Sequence, residues 1–176
     1  GTHLPDITVI TPVFAGPGRP AFFVASRGHH ADVGGITPGS MPPFSRSIEE
    51  EGLRLDNVSL LRSGQFDAAA WRERLAAGPH PVRNPDQLLA DLRAQVAANR
   101  LGAEELGRLV AREGLPEVER YMAHVQANAA EAVRRVIDRL VDGSHSVELD
   151  DGSRIMVAVR IDRAGRRATV DFSGTS

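Results

Sequence analysis

The sequence predicts an α+β fold in which a β-hairpin comes first, helices occupy the middle and an antiparallel meander comes last. Residues 1–44 hold seven of the 17 glycines and seven of the 11 prolines, which is typical of strands joined by irregular loops. Apolar residues then recur at helical spacing over 84–142. Over 144–172 they alternate with a period of two, as in half-buried strands.

The N-terminal zone, residues 1–60, combines the hairpin with a long loop. Two β-like runs, 7–14 and 21–26, flank a turn rich in glycine and proline. Pro12 lacks an N–H for a sheet ladder, so its strand should lie at an edge or carry a bulge. The weakly charged segment 29–43 is too rich in glycine and proline for regular structure. Long loops of this kind commonly line a site.

The middle zone predicts three helices. Asn84 and Pro85 are an N-cap and a first helical residue, and they begin the first helix. A short second helix is expected over 103–113, ending before Gly114. Pro116 opens the third helix, which carries an apolar face and should run to the Asp-Gly pair at 142–143.

The last zone predicts a three-stranded antiparallel meander with one buried face. Its strands cover 144–149, 154–161 and 167–172. Asp-Gly and Ala-Gly pairs between them are typical hairpin turns.

Composition excludes several classes of function. The chain has 21 basic and 23 acidic residues and a formal net charge of −2, so we expect neither nucleic acid nor a membrane as partner. Every basic residue is Arg and there is no Cys, which excludes lysine and cysteine nucleophiles and thiolate metal sites. No apolar run reaches the ~18 residues of a membrane span. We expect a cytoplasmic protein and, since the chain starts at Gly1, a piece of something longer.

Two His/Asp segments near the hairpin are candidate metal ligands. His3 and Asp6 stand three residues apart, and His29, His30 and Asp32 follow the second strand. Imidazole and carboxylate suit Zn, Mn or Fe(II). In an extended chain His30 and Asp32 share a face, whereas in a turn His29 and Asp32 converge. The alternative is that these histidines only cap turns or bond to loop backbone.

Other polar residues have weaker claims to function. Glu51 ends a run of three glutamates, which either is a solvated turn or supplies a residue that reaches the metal shell or carries a proton. His124 lies on the third predicted helix and is either functional or a satisfied structural residue. Gln95 and Asn99, four residues apart on the first helix, form a polar pair with the same two interpretations.

Seven short segments spread over the whole chain resemble the hydantoinase B/5-oxoprolinase family. They are Gly-Thr-His-Leu-Pro-Asp-Ile at 1–7, the glycine- and proline-rich 26–43, 47–52, 83–87, 94–99, 124–128 and 170–176. Family members run to several hundred residues, so the resemblance implies that 1–176 is a single fragment of a larger hydantoinase B-like domain. We expect such a fragment to be inactive alone.

The resemblance implies the hydrolytic half of an ATP-driven amidohydrolase that opens hydantoins, 5-oxoproline or lactams. A hydantoinase A-like partner, as a subunit or a fused domain, would bind ATP and activate the carbonyl, and the assembly would be a hetero-oligomer. The divalent ion would be held by His3, Asp6 and His29, with His30 and Asp32 adjoining. We predict catalytic roles for Asp32, His30, Glu51 and His124.

Two alternative functions remain open at this point. One is a subunit of an ATP-dependent carboxylase of acetone or acetophenone type, which stays within the family but changes the reaction. The other is a non-catalytic scaffold subunit in which the histidines are structural.

Overall fold

A computed structural model describes residues 3–176 of the chain. They form two compact units, the first ending at Glu113 and the second covering Gly114–Ser176. The order of hairpin, helices and antiparallel sheet confirms the predicted α+β class.

The hairpin consists of β1 (Asp6–Val13) and β2 (Phe22–His29), which pair antiparallel in continuous register. The register joins Asp6 to His29 at the open end and Val13 to Phe22 at the turn. Within residues 3–176 each of these strands has one neighbour, so Pro12 sits at a sheet edge as predicted. Burial alternates along β2, which gives the hairpin an inner and an outer face.

Three helices belong to the first unit: α1 (Ile48–Glu51), α2 (Ala68–Ala76) and α3 (Pro85–Glu113). The first two were not predicted. At the start of α3, the Gln87 N–H donates to Asn84 Oδ1 at 3.2 Å, which confirms the predicted cap.

The predicted break between a first and a second helix is wrong, because α3 runs unbroken for 29 residues. Gly102, near the expected break, lies inside the helix where a Cβ would come 3.0 Å from Val24 Cγ1 of β2. A glycine costs about 1 kcal/mol of helix propensity. Here it lets the helix approach the strand closely, so tertiary packing overrides the local signal.

The core of the first unit lies around the N-terminal half of α3. Leu88, Leu89 and Leu92 are almost fully buried and pack with side chains from α2, the hairpin and the loops. Those side chains are Val9, Val33, Trp71, Leu75 and Val82. Because α3 also packs across both strands, it anchors the hairpin to this core.

The segment after β2 is irregular, as predicted, and tightly bonded. Ser40 is buried with a φ of 55°, and its hydroxyl accepts from Val33 N and donates to Gly34 O. Gly35 has a φ of 88°, and a Cβ there would meet Glu51 O at 2.6 Å. Only glycine tolerates both the positive φ and the close approach of a backbone oxygen at that position. The loop is therefore held in one conformation by its own contacts.

The second unit contains α4 (Leu115–Ile137) and a sheet of β3 (Gly143–Glu148), β4 (Arg154–Asp162) and β5 (Arg167–Asp171) in the order β3-β4-β5. This order confirms the meander. The helix ends at Ile137, earlier than predicted. Arg166, in the turn before β5, ties the sheet to α4 through Glu131.

The predicted buried face of the meander is only partly covered: Val157, Val159 and Ile161 of β4 are half-buried. All residues of β3 and β5 are exposed, and Ile155 of β4 is 41 % exposed. In α4 the apolar stripe is also mostly exposed, and Val118 is the one buried hydrophobic residue of 114–176. The periodicity therefore predicted the strands and the helix correctly, but it did not predict how far their apolar side chains are buried.

None of the helices in residues 3–176 combines the length and the hydropathy that a bilayer crossing requires.

Candidate metal centre

The open end of the hairpin brings the two predicted His/Asp segments together. Asp6 and His29 are opposite each other in the strand register. A turn just before β1, in which Asp6 N donates to His3 O at 3.3 Å, folds His3 back towards them. The His30 N–H donates to Pro5 O at 2.9 Å and ties the two segments together beyond the ladder. Backbone bonds thus fix the frame that carries the three side chains.

His3, Asp6 and His29 each offer a ligand atom, and these atoms all lie within 4.8 Å of one another. The His29 Nδ1 is 3.0 Å from Asp6 Oδ1, and the His3 Nδ1 is 3.3 Å from Asp6 Oδ2. The two imidazole rings meet edge to face, with centroids 4.9 Å apart. These are the three residues to which the family resemblance assigns a divalent ion.

The donor set fits a divalent cation. Two imidazoles and a carboxylate suit Zn, Mn or Fe(II), and three protein ligands leave positions open for other molecules. The His3 Nδ1 atom is buried and makes no hydrogen bond with residues 3–176, although it points towards the carboxylate. Burying such a nitrogen without a partner is costly, and coordination of a cation would satisfy it.

The cluster is open to solvent on one side. The Asp6 side chain is 14 % exposed, that of His3 is 28 % exposed and that of His29 is 53 % exposed. The carboxylate thus lies at the base, and His29 forms the rim. A small molecule can reach the cluster from the outer face of the hairpin.

Arg27 lies beside the cluster on the same face. It stands two residues before His29 in β2, and alternate residues of a strand share a face. Its Nη2 donates to Asp6 Oδ2 at 2.5 Å. Sequence analysis missed this residue, because the predicted strand ended at residue 26 and only the structure extends β2 to His29.

His30 faces the opposite way and is not part of the cluster. Its ring is 2 % exposed, and Nε2 is 3.0 Å from Gln95 Oε1. The Gln95 amide nitrogen donates to the carbonyls of Ile7 and Ser26, so its oxygen must face the ring. His30 Nε2 therefore carries the hydrogen, and Nδ1 is 3.9 Å from Asp91 Oδ2.

Gln95 and Asn99 both bind hairpin backbone from α3. The Asn99 amide nitrogen donates to Val9 O at 2.9 Å, to Thr11 Oγ1 at 3.1 Å and to Val24 O at 3.4 Å. The polar pair identified in the sequence is thus a clamp that holds the inner face of the hairpin.

Asp32 organises the loop and does not join His29 or His30. Its carboxylate accepts from the backbone of Gly34, Gly39 and Arg83 and from the Arg83 guanidinium, at 2.7–3.2 Å. Partial burial works to raise the pKa of Asp32, but these hydrogen bonds outweigh it and lower the pKa below the ordinary value of 3.8.

The remaining two predicted catalytic residues lie in separate settings. Glu51, at the end of α1, accepts a hydrogen bond from the Ser45 hydroxyl at 3.0 Å. His124 belongs to the second unit, where its ring meets that of Tyr121 edge to face. The catalytic roles of Glu51 and His124 stay predictions.

Comparison with known proteins identifies relatives along the whole chain. The family model described as Hydantoinase B/oxoprolinase matches residues 1–176. The 5-oxoprolinase of Dictyostelium discoideum is 45 % identical over 187 residues, which cover 99 % of this chain and 14 % of that protein. The 5-oxoprolinase 1 of Arabidopsis thaliana is 43 % identical over 201 residues, with 100 % of this chain and 16 % of that protein covered.

A solved structure supports the same relationship. The ATP-dependent caprolactamase from Pseudomonas jessenii aligns with a TM-score of 0.81 at 28 % identity, covering 97 % of this chain and 30 % of that chain. The chain thus spans less than a third of the length of these relatives.

Proposed function

The chain belongs to the hydantoinase B/oxoprolinase family, and we propose that it carries the divalent-metal centre of an ATP-driven amidohydrolase that opens cyclic amides or imides. In this proposal residues 1–176 are one piece of a larger hydantoinase B-like domain. The substrate is a ring of the hydantoin, 5-oxoproline or lactam type.

One observation carries the proposal: His3, Asp6 and His29 bring three ligand atoms within 4.8 Å at a solvent-open position. The names of the relatives support the reaction, because a 5-oxoprolinase and an ATP-dependent caprolactamase both act on cyclic amides. Asp6 begins β1 and His29 ends β2, so the pairing register of the two strands determines whether the cluster forms.

The chemistry suits the residues that the chain offers. An amide carbon is a poor electrophile, and an ion bound at the cluster would supply Lewis acidity, which polarises carbonyl oxygens and acidifies water. Asp6 provides the one negative charge of the set, and the two imidazoles bind a cation only through neutral nitrogens. The sequence contains no Lys or Cys, so the chain offers neither of those nucleophiles.

The ATP step requires a partner. We propose that a hydantoinase A-like subunit or domain binds ATP and activates the carbonyl oxygen, as the ATP dependence of the caprolactamase relative suggests. The open rim at His29 would then face the activated substrate.

Metal binding is the first test. The wild-type chain, His3→Ala, His29→Ala and the control His80→Ala would be titrated with Zn²⁺, Mn²⁺ and Fe²⁺ by calorimetry, and their metal content measured. We expect one equivalent in the wild type and in His80→Ala, and none retained in the other two variants. Absence of stoichiometric metal from the wild type, or unchanged binding in His3→Ala, would overturn the metal centre.

The reaction is the second test. The longest form of the protein, together with its ATP-binding partner, would receive ATP and 5-oxoproline, caprolactam or a hydantoin, with phosphate release and ring opening measured. Acetone or acetophenone with bicarbonate would be the parallel arm. Turnover only in the parallel arm would favour a ketone carboxylase, and no turnover in either arm would favour a scaffold.

A further inference from the structure

A guanidinium lies beside the cluster on the exposed face of the hairpin. Arg27 and His29 are alternate residues of β2, so their Cα atoms are about 6.6 Å apart on one side of the strand. The Arg27 side chain is 48 % exposed. Its position places a permanent positive charge at the entrance to the candidate metal centre.

The bond to Asp6 leaves most of this guanidinium available. A guanidinium carries five N–H donors in a planar fork. Among the hydrogen bonds described for residues 3–176, Arg27 donates from Nη2 alone, to Asp6 Oδ2. The carboxylate therefore orients the side chain along the face while Nε and Nη1 can still donate to another group.

The donors that remain suit an oxyanion. Arginine forks bind phosphate and carboxylate oxygens through charge-assisted hydrogen bonds. A cation bound by His3, Asp6 and His29 would attract the same kind of ligand from the other side. ATP-driven opening of an amide produces phosphate, so an anion of this class would be present during the proposed reaction.

We propose that Arg27 is an anion-binding residue that holds a phosphate-class oxyanion next to the metal cluster. The ligand is either the phosphoryl group of an activated substrate or inorganic phosphate after its release. This inference rests on the proposed function, since the metal forms the other half of the anion site. Arg27 thereby sets which group of the substrate faces the cation.

The experiment measures phosphate binding without relying on turnover. The chain would be loaded with Mn²⁺, and inorganic phosphate or methyl phosphate would be added. Bound paramagnetic Mn²⁺ broadens the ³¹P resonance of a phosphate that binds beside it. Wild type would be compared with Arg27→Gln, Arg27→Lys and the control Arg72→Gln. Arg72 is an exposed arginine of α2 that ion-pairs with Asp86, so it controls for loss of an arginine–aspartate pair.

We expect Arg27→Gln to weaken phosphate binding about tenfold or more, because charge-assisted hydrogen bonds are lost. Arg27→Lys should give an intermediate result, and Arg72→Gln should match the wild type. Affinity for Mn²⁺, measured by calorimetry, should change less than about fivefold in Arg27→Gln, since exposed ion pairs contribute little. Broadening by methyl phosphate would assign the site to the activated substrate, and broadening by inorganic phosphate alone would assign it to the product.

Other results would overturn the inference in distinguishable ways. Equal broadening in wild type and Arg27→Gln would remove Arg27 from anion binding and leave the metal centre intact. Loss of Mn²⁺ binding in a folded Arg27→Gln variant, checked by thermal unfolding, would make Arg27 a support of the metal site instead. A wild-type chain that binds no Mn²⁺, Zn²⁺ or Fe²⁺ would defeat the proposed function, and this inference with it.

Discussion

The two faces of the hairpin differ in what their polar groups bind. On the outer face, His29 is 53 % exposed and joins His3 and Asp6 in a cluster of potential ligands. On the inner face, the next residue, His30, is 2 % exposed and bonds to Gln95. Two identical side chains, adjacent in sequence, thus have opposite surroundings, because His30 directly follows β2 and continues the alternation by which successive residues of a strand point to opposite sides.

The difference shows how stability and chemistry are separated in this unit. The inner face is held by amide side chains of α3, which bond to the carbonyls of Ile7, Val9 and Ser26. These bonds fix the strands, and buried polar groups paired in this way resist displacement. The outer face is therefore free to present ligand atoms on a rigid frame, which is what a precise metal site requires.

The comparison of the two faces predicts the largest changes in metal affinity and in stability for variants of the two adjacent histidines. His29→Ala removes a ligand atom, so we expect metal affinity to fall more than about 100-fold, beyond the 10–100-fold typical of losing an outer-shell partner. The free energy of unfolding should change by less than about 0.5 kcal/mol, because the side chain is exposed. Calorimetric titration and thermal unfolding measure the two quantities.

His30→Ala should show the reverse pattern. Loss of the buried ring leaves Gln95 Oε1 without this partner, and we expect a loss of about 2–4 kcal/mol of stability. Metal affinity in the folded fraction should fall less than about tenfold, because the bond from His30 N to Pro5 O belongs to the backbone. If both variants lost metal equally, the two faces would not be independent.

The next largest effect is expected at Asn99, which is 1 % exposed. Asn99→Ala removes the donors to Val9 O and Val24 O and leaves buried carbonyls in need of a partner. We expect a loss of about 3 kcal/mol, measured by urea or thermal unfolding. The exposed Asn128 of α4 provides the control, and Asn128→Ala should change stability by less than about 0.5 kcal/mol. A loss under about 1 kcal/mol in Asn99→Ala would mean that the amide does not clamp the strands.

Spacing along the sequence was sufficient to locate the two His/Asp segments but not to show which side chains converge, and the choice of His29 came from the family resemblance. Spacing identified His3, Asp6 and the His29–His30 pair, and the structure brings one member of that pair into the cluster. Which histidine points outward depends on which face of the strand the odd-numbered residues occupy. A shift of one residue in register would move them to the other face. The orientation of the strand residues is set here by the pairing of Asp6 with His29 and by the hydrogen bonds from α3, which join residues distant in sequence.

Contacts between residues distant in sequence also explain the other differences between the predicted and the observed structure. The spacing of Gln95 and Asn99 predicted a polar pair, but the carbonyls that they bind lie 69–90 residues away along the chain. A separate helix was expected over 103–113, whereas close packing of Gly102 against Val24 belongs to one unbroken helix. In the second unit the period of the meander was correct, yet exposure of Ile155 is a tertiary property that no local pattern reports.

The smallest change in stability is expected for a substitution of Ile10, and a substitution of its neighbour Val9 provides the comparison. Ile10 is 62 % exposed on the outer face, whereas Val9 is 8 % exposed within the core cluster. Val9→Ala should cost about 2 kcal/mol of stability, from lost apolar burial and the cavity left behind. Ile10→Thr keeps a β-branched side chain that suits a strand, so its unfolding free energy should stay within about 0.5 kcal/mol of the wild type. Thermal unfolding of both variants measures the difference. A cost for Ile10→Thr equal to that for Val9→Ala would show that the outer face is packed against other residues in solution, and the approach of a substrate to Arg27 and the cluster would then need another route.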